Sequence, residues 1–300
     1  MNQIEQKFIN KILPKYGKNR DLNYDKILIE NNNKILNEEN NILDVDIIRE
    51  EFKYHVFSID PPKCSDADDA FSIYEENENL FLAIHIADPT HLISLKSELW
   101  KDILDRGITR YPSNSLPIHM LPEEIVQESS LMTEKLFEKK RAISIIYKIN
   151  KKTMLPCINE INLKFTYITV LANNKYTYKE ASFVNNDIFN KGLQISKNLK
   201  RERSKETIGT KLSDIKYLSI AYDNNNLSID ETTDRINDMK EMIAEFAILT
   251  NSFIGEFIEK NIDGMGVYRT CNFDNCEENL SGEKILDKII KDGVRGMAKM

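Results

Sequence analysis

At 300 residues and 34.9 kDa the chain suits one large domain or two modest ones, able to bury about three quarters of its unfolded surface. Its 41% hydrophobic and 30% charged residues fit a soluble globular protein, and no apolar run or signal-like N-terminus points to a membrane, so the expected setting is intracellular. A net charge of −7 argues against a surface built throughout for duplex nucleic acid, where affinity rests on neutralised phosphates.

Residues 1–50 read as a polar, irregular lead-in. Apolar periodicity is confined to Ile4, Phe8 and Ile12, and asparagine clusters at Asn31–Asn33 and Asn40–Asn41 punctuate the segment like loops. From His55 the texture turns to strands, first His55–Ile59, then Phe71–Tyr74. Residues 80–87, LFLAIHIA, form a continuous apolar run of the kind buried on both faces of a sheet. His85 lies inside that run and reads as a satisfied core histidine rather than a ligand or base.

Between the first two strands, IDPPKCSDADDA (59–70) sets Asp60, Asp66, Asp68 and Asp69 within ten positions. Two carboxylates about 4 Å apart repel by roughly 4 kcal/mol at an effective dielectric near 20. A divalent cation turns that repulsion into a site, because hard oxygen ligands suit Mg²⁺ or Mn²⁺. On spacing alone, an acidic solvated loop is the competing reading.

Further along, Ser97–Asp105 reads as a short helix with Leu99, Trp100, Ile103 and Leu104 on its apolar side, ended by Gly107. Segments 141–149 and 158–170 carry the β-branched enrichment of strands. Thr177 opens a helical turn, Ile188–Lys205 reads as a charged helix, and a strand over about 215–220 ends at Asn224–Asn226. The strongest helix spans 238–260, with Asp238 as N-cap and Met242, Phe246, Leu249, Phe253 and Phe257 as a core stripe. Glu245 falls at the rim of that stripe, and a last helix runs between Ser281 and Gly293.

Two basic clusters are candidate walls of a channel: Lys135, Lys139, Lys140 and Arg141, then Lys197, Lys200, Arg201, Arg203 and Lys205. Each alone reads more simply as a solvated helix face. Cys64, Cys157, Cys271 and Cys276 read as reduced thiols. The mixed order of elements predicts an α+β fold, a mixed sheet core surrounded by helices.

The carboxylate loop is followed in order by LFLAIHIADPTHLI (80–93), RGITRYPSNSLPIHMLPEEI (106–125) and KRAISIIYKI (140–149). This series resembles the RNB catalytic domain of the ribonuclease II family, whose members carry an I-D-x5-D-x-D-D loop, an H-I-A-D strand, an R-G-T-S-x-Y-L-P segment and an M-L-P-E motif. The wording VFSIDPPKCSDADD is most similar to the branch containing the eukaryotic exosome's hydrolytic subunit. KYTYKEAS (175–182), MIAEFAILTN (242–251), VYRTCNF (267–273) and VRGMAKM (294–300) are similar to later family segments. The resemblance therefore covers about residues 48–300 and leaves 1–47 as the lead-in.

What the resemblance implies is a Mg²⁺-dependent (alternatively Mn²⁺-dependent) hydrolytic 3′→5′ exoribonuclease releasing nucleoside 5′-monophosphates from single-stranded RNA. It assigns Asp60, Asp66, Asp68 and Asp69 to the metal site, with Asp68 and Asp69 also catalytic in activating the attacking water. It assigns Tyr111 to stacking on the last nucleotides and Glu245 to positioning substrate or solvent. Two departures stand out. Ala244 replaces the first glutamate of the family's V-E-E-F-M helix, and no T-S-P-I-R-R-Y segment, whose arginine contacts the phosphate, occurs up to Met300. The expectation is a C-terminally incomplete RNB-like domain, its activity impaired or completed by a second polypeptide. A non-catalytic RNA-binding or assembly protein is the alternative. Another metal-dependent phosphotransfer enzyme is a third reading, which lacks a glycine-rich phosphate loop.

Overall fold

The computed structural model describes residues 20–40, 48–62, 64, 66–110, 117–132, 138–206, 218–223, 226–231 and 234–262. In chain order the elements are α1 (Leu22–Asn40), β1 (Glu50–Glu51), β2 (Ser58–Asp60), β3 (Asp69–Glu76), β4 (Asn79–Ala87), α2 (Glu98–Arg106) and α3 (Glu123–Ser129). Then come β5 (Lys140–Asn150), β6 (Leu155–Ile168), β7 (Lys175–Thr177), α4 (Tyr178–Phe183), α5 (Asp187–Glu206), β8 (Leu218–Asp223), β9 (Asn226–Glu231) and α6 (Asp234–Asn261). The chain divides into two compact units, 1–245 and 246–300.

A mixed five-stranded sheet in the order β1-β6-β5-β4-β3 organises the first unit, all pairs antiparallel except β1 with β6. Strands β3 and β4 turn through Asn77 and Glu78, both at positive φ (47° and 63°). A two-residue turn of that hand matches the right-handed twist of the flanking strands. At the β5–β6 turn, the Asn150 side-chain oxygen accepts from the backbone N–H groups of Lys152 (2.9 Å) and Thr153 (3.2 Å), an asparagine device for closing a turn. The result is the expected α+β fold, a mixed sheet with helices packed around it.

The run 80–87 is β4, in the middle of the sheet's buried region, with Leu80, Leu82, Ala83, Ile84 and His85 all buried. His85 is satisfied on both nitrogens: Nε2 lies 3.1 Å from Ser72 Oγ and Nδ1 2.6 Å from Ser144 Oγ. Ser144 is linked onward to Thr166 Oγ1 at 2.6 Å, and Phe52 packs edge-on to the imidazole at 4.5 Å. Burial pushes the imidazole down to about 3, so the ring is neutral. The core-histidine expectation is met.

Several expectations change. Asn31–Asn33 lie within α1, not in a loop, and Asn40 is its last residue, while Asn41 lies outside the described residues. Asn32 is buried, donating to the Leu92 carbonyl (2.7 Å) and accepting from the Ser94 N–H (2.9 Å). Leu28 and Ile29 share a core with Leu99, Ile103 and Ile125, so tertiary docking outweighs the weak helix propensity of asparagine. Arg20 locks the junction, with Nη2 2.8 Å from both Asp25 and Asp102 and Nη1 2.6 Å from the Met120 carbonyl.

In α2, Ser97 caps the N-terminus (Trp100 N–H to Oγ, 3.1 Å) and Gly107 ends it at φ 71°. Leu99 and Ile103 are buried as expected, whereas Leu104 is exposed. The strand placed at 215–220 is β8 (Leu218–Asp223), which ends at the asparagines as expected and pairs antiparallel with β9 beyond them. Helix α6 starts at Asp234, and Asp238 meets Lys197 at 2.9 Å instead of capping. Met242 and Phe246 of the predicted stripe are buried, and Phe257 is exposed. The helix placed at 281–293 and Cys271 and Cys276 lie outside the described residues.

Candidate active site

Strand β2 carries the first carboxylate into place. Its parallel pairing with β7 sets Asp60 opposite Thr177, whose side chain and Glu180 form a reciprocal capping box that starts α4 at Tyr178. The chain leaves β2 through Pro61 and Pro62, which disfavour helical backbone, and returns at Asp69, the first residue of β3.

Three anchors hold the returning limb. The Ala67 N–H donates to Ser130 Oγ (3.1 Å), the Leu131 N–H to the Ala67 carbonyl (2.9 Å), and the Ala87 N–H to the Asp68 carbonyl (2.8 Å). Ala67 itself is fully buried, packed with Val56, Ala70, Leu131, Ala142 and Ile168. A buried alanine flanked by acids therefore fixes the backbone, so the carboxylates are held near one another against their repulsion.

Asp60 is buried and accepts from Ser58 Oγ. Cys64 Sγ lies 3.9 Å from Asp60 Oδ1 and 3.6 Å from Asp66 Oδ1, a weak thiol donor between two acids. On its other side Asp66 faces His119 Nδ1 at 3.9 Å. Asp69 is half-buried and Asp68 exposed.

Every resolved shift in this group runs upward. Burial, offset by the Ser58 hydroxyl and reinforced by Asp66, raises Asp60. Asp68 keeps an exposed side chain, yet crowding by neighbouring protein atoms is the first cause of its rise, ahead of Asp66 and Asp60. Asp69 is pushed up to about 6 by burial and then by Asp60 and Asp68. The Tyr178 hydroxyl, buried beside Asp69 and Asp60, is pushed up to about 12, and the Cys64 thiol to about 11, chiefly by burial. Among the described residues no lysine or arginine offsets Asp60, Asp68 or Asp69, and His119 alone opposes the rise of Asp68.

This donor set fits a hard divalent cation: several carboxylate oxygens, one shared excess of negative charge, and a fixed backbone. Among the described residues no three His, Cys, Asp or Glu groups stand in ligating geometry.

The structure thus gathers Asp60, Asp66, Asp68 and Asp69, while Tyr111 lies outside the described residues. Glu245 is buried on α6 and forked by Arg203 of α5, through Nη2–Oε1 and through Nε–Oε2 at 3.3 Å. Tyr178, His119 and Cys64 join the site although the sequence reading gave them no role. The available signals were the T-x-x-E box at 177–180, which marks a strand-to-helix junction, and the adjacency of Cys64 to the acids.

In the second basic cluster three side chains are ion-paired with acids of α6. Lys197 meets Asp238 at 2.9 Å, Lys200 meets Glu241 at 2.6 Å, and Arg203 holds Glu245. In the first cluster Lys139 meets Glu51 at 3.0 Å and Lys140 meets Glu138 at 3.6 Å.

The RNB domain family matches residues 49–295, most of the chain, and the chain therefore belongs to the RNB family. It is 28% identical over 227 residues to the exosome complex exonuclease RRP44 of Homo sapiens, across 71% of this chain and 22% of that protein. RNase R of Mycoplasma genitalium, solved in complex with ribose-methylated single-stranded RNA, shares the fold with a TM-score of 0.61 at 17% identity, across 87% of this chain and 41% of that one. Yeast Ssd1, a pseudonuclease, shares it with a TM-score of 0.56 at 16% identity, across 73% and 27%. The chain spans less than half the length of these proteins. Nuclease and pseudonuclease share the fold, so the fold by itself does not carry the chemistry. No described helix is long and apolar enough to cross a membrane.

Proposed function

We propose that this chain carries the carboxylate site of a Mg²⁺-dependent (or Mn²⁺-dependent) 3′→5′ exoribonuclease that hydrolyses single-stranded RNA to nucleoside 5′-monophosphates. The observation that carries this reading is the anchored loop in which burial and like charge raise Asp60, Asp68 and Asp69 together, offset at Asp68 only in small part by His119. A structural acid cluster would be neutralised by lysine or arginine, as Glu75 is by Lys151 and Lys191.

Asp60, Asp66, Asp68 and Asp69 would hold the cation. When bound, it supplies Lewis acidity toward a water nucleophile and offsets charge on the phosphate oxygens. Asp68, exposed at the end of the loop, and Asp69 orient the attacking water and take its proton, and a carboxylate raised toward neutrality is suited to that task. Tyr178 stays protonated in the same negative field and donates a hydrogen bond to a phosphate oxygen. Tyr111 stacks on the terminal base, a contact tolerant of sequence. Glu245 acts through Arg203, whose orientation it holds. The phosphate-contacting arginine comes from a second polypeptide or from sequence beyond these residues.

The test is a denaturing-gel time course on a 5′-labelled unstructured RNA with Mg²⁺, with EDTA, and with Asp68→Asn. Stepwise shortening from the 3′ end, lost in both controls, is expected. Shortening that persists in EDTA or in Asp68→Asn would sink the reading. The capture of Glu245 by Arg203, together with Ala244 beside it, favours a second reading as an RNA-binding or assembly protein without turnover. Tight RNA binding, equal in Mg²⁺ and EDTA and without shortening, would establish it.

A further inference from the structure

The strand register brings a second set of side chains to the same end and the same face of the sheet as the carboxylate loop. Asp69, Ile86, Ile143 and Phe165 lie abreast across β3, β4, β5 and β6. Residues two apart along a strand share a face, so Arg141, two before Ile143, and Tyr167, two after Phe165, share the face of Asp69. Arg141 and Tyr167 are themselves directly paired. At about 4.8 Å per strand, Arg141 lies roughly 10 Å and Tyr167 roughly 14 Å from the Asp69 strand.

Both residues line a cleft of about 120 Å³ together with Asp88, His91, Glu128 and Glu138. At about 30 Å³ per water that is room for a phosphate group. Most charges in it are already matched. Asp88 is ion-paired with Arg49, whose guanidinium also lies 5.4 Å over the Phe165 ring. Lys140 bonds to the Glu128 carbonyl at 3.1 Å and faces Glu138 at 3.6 Å. His91 Nδ1 is held 3.0 Å from the Asp88 carbonyl oxygen, and burial followed by the charge of Arg141 lowers its affinity for a proton. Arg141 differs: half-buried, its guanidinium has no carboxylate partner among the described residues, and an aromatic ring stands beside it on the next strand.

A planar guanidinium next to a tyrosine is matched by a nucleotide: the fork takes two phosphate oxygens and the ring stacks a base. We propose that Arg141 and Tyr167 form a nucleotide subsite for single-stranded RNA, upstream of the residues gathered at the carboxylate loop. The proposal rests on reading the chain as an RNA nuclease. It assigns the strand running past the loop a grip that depends on oligonucleotide length and not on base identity.

The test uses fluorescence anisotropy with Mg²⁺ on the full chain carrying Asp68→Asn, which blocks cleavage, and compares a labelled oligouridylate dinucleotide with an octanucleotide. Arg141→Ala should weaken the octanucleotide about tenfold and reduce the salt slope by about 0.7, the value for one phosphate contact on a single strand. Tyr167→Ala should also weaken it roughly tenfold, and Tyr167→Phe should not. The dinucleotide, too short to reach both places, should bind all variants alike. Arg141→Lys, which keeps the charge and loses the fork, should fall between, and it serves if the alanine variant does not fold. Unchanged octanucleotide binding in Arg141→Ala and Tyr167→Ala would overturn the subsite. So would an equal loss in Lys26→Ala on α1, which would mean that only overall charge mattered. Failure of the parent to bind either RNA would bring down the nuclease reading itself, and the subsite with it.

Discussion

The carboxylate loop and the contact between α5 and α6 are both densely charged, and they solve the problem of charge in opposite ways. Where the helices meet, three acids face three bases in step: Asp238 with Lys197, Glu241 with Lys200, Glu245 with Arg203. In the loop, Asp60, Asp68 and Asp69 are raised by burial and by neighbouring carboxylates, Asp66 among them. Paired charge costs little and holds helices together. Crowded charge of one sign costs stability unless something positive arrives, and so marks a place where a cation or a substrate is expected.

The largest effect that would sharpen this contrast lies in the helix pair. Arg203→Met strands a buried carboxylate and should cost about 3–5 kcal/mol, whereas Glu245→Gln leaves a half-exposed guanidinium that water can solvate and should cost about 1 kcal/mol. Urea unfolding of both variants checks the order, and an equal cost would mean that Glu245 is less buried than it is here. In the loop the sign reverses. Asp68→Asn should lower cleavage by roughly 10²–10³-fold, the loss typical of one transition-state-stabilising group, while raising the melting temperature measured in EDTA because a repelling charge is gone.

The pH dependence of stability in chelator separates the two kinds of burial. Asp69 binds its proton more tightly when folded, near 6 against 3.8, so its contribution to stability falls as pH rises from about 4 to 6. At neutral pH that is a loss of roughly 2–3 kcal/mol. His85 works the other way: folded near 3 against 6.5, it contributes stability above pH 6.5 that is lost as pH falls toward 3. The two slopes oppose one another in the wild-type chain. Asp69→Asn should therefore uncover a stability that climbs with pH between 4 and 6.5, and an unaltered profile would remove Asp69 from the crowded set. The smallest effect belongs to the exposed end of the helix ladder, where Lys197→Ala should change stability by about 0.5 kcal/mol or less, because solvent screens that pair.

Much of the site was legible along the chain. Four aspartates in ten positions, the apolar run that became β4, and a histidine with no reason to face solvent are local patterns, and local patterns survive folding. The helix caps at Ser97, Thr177 and Gly107 were legible for the same reason, since a cap is satisfied within a few residues. Where propensity alone was the guide, it failed at Asn31–Asn33: a packed face decides whether a weak helix former is helical.

Partnership across long separations was decided only in three dimensions. Nothing near Glu245 in sequence announces Arg203, 42 positions earlier, as its partner, and the basic run 197–203 looks the same in sequence whether it is open or paired. Ala67 is an unremarked residue until Ser130 and Leu131, more than 60 positions away, hold it and thereby fix the acids on either side. The sequence determined which charges this protein carries and the order in which they come. Tertiary structure determined which of them are cancelled, because electrostatic energy depends on distance and burial, and neither is a property of position in the chain.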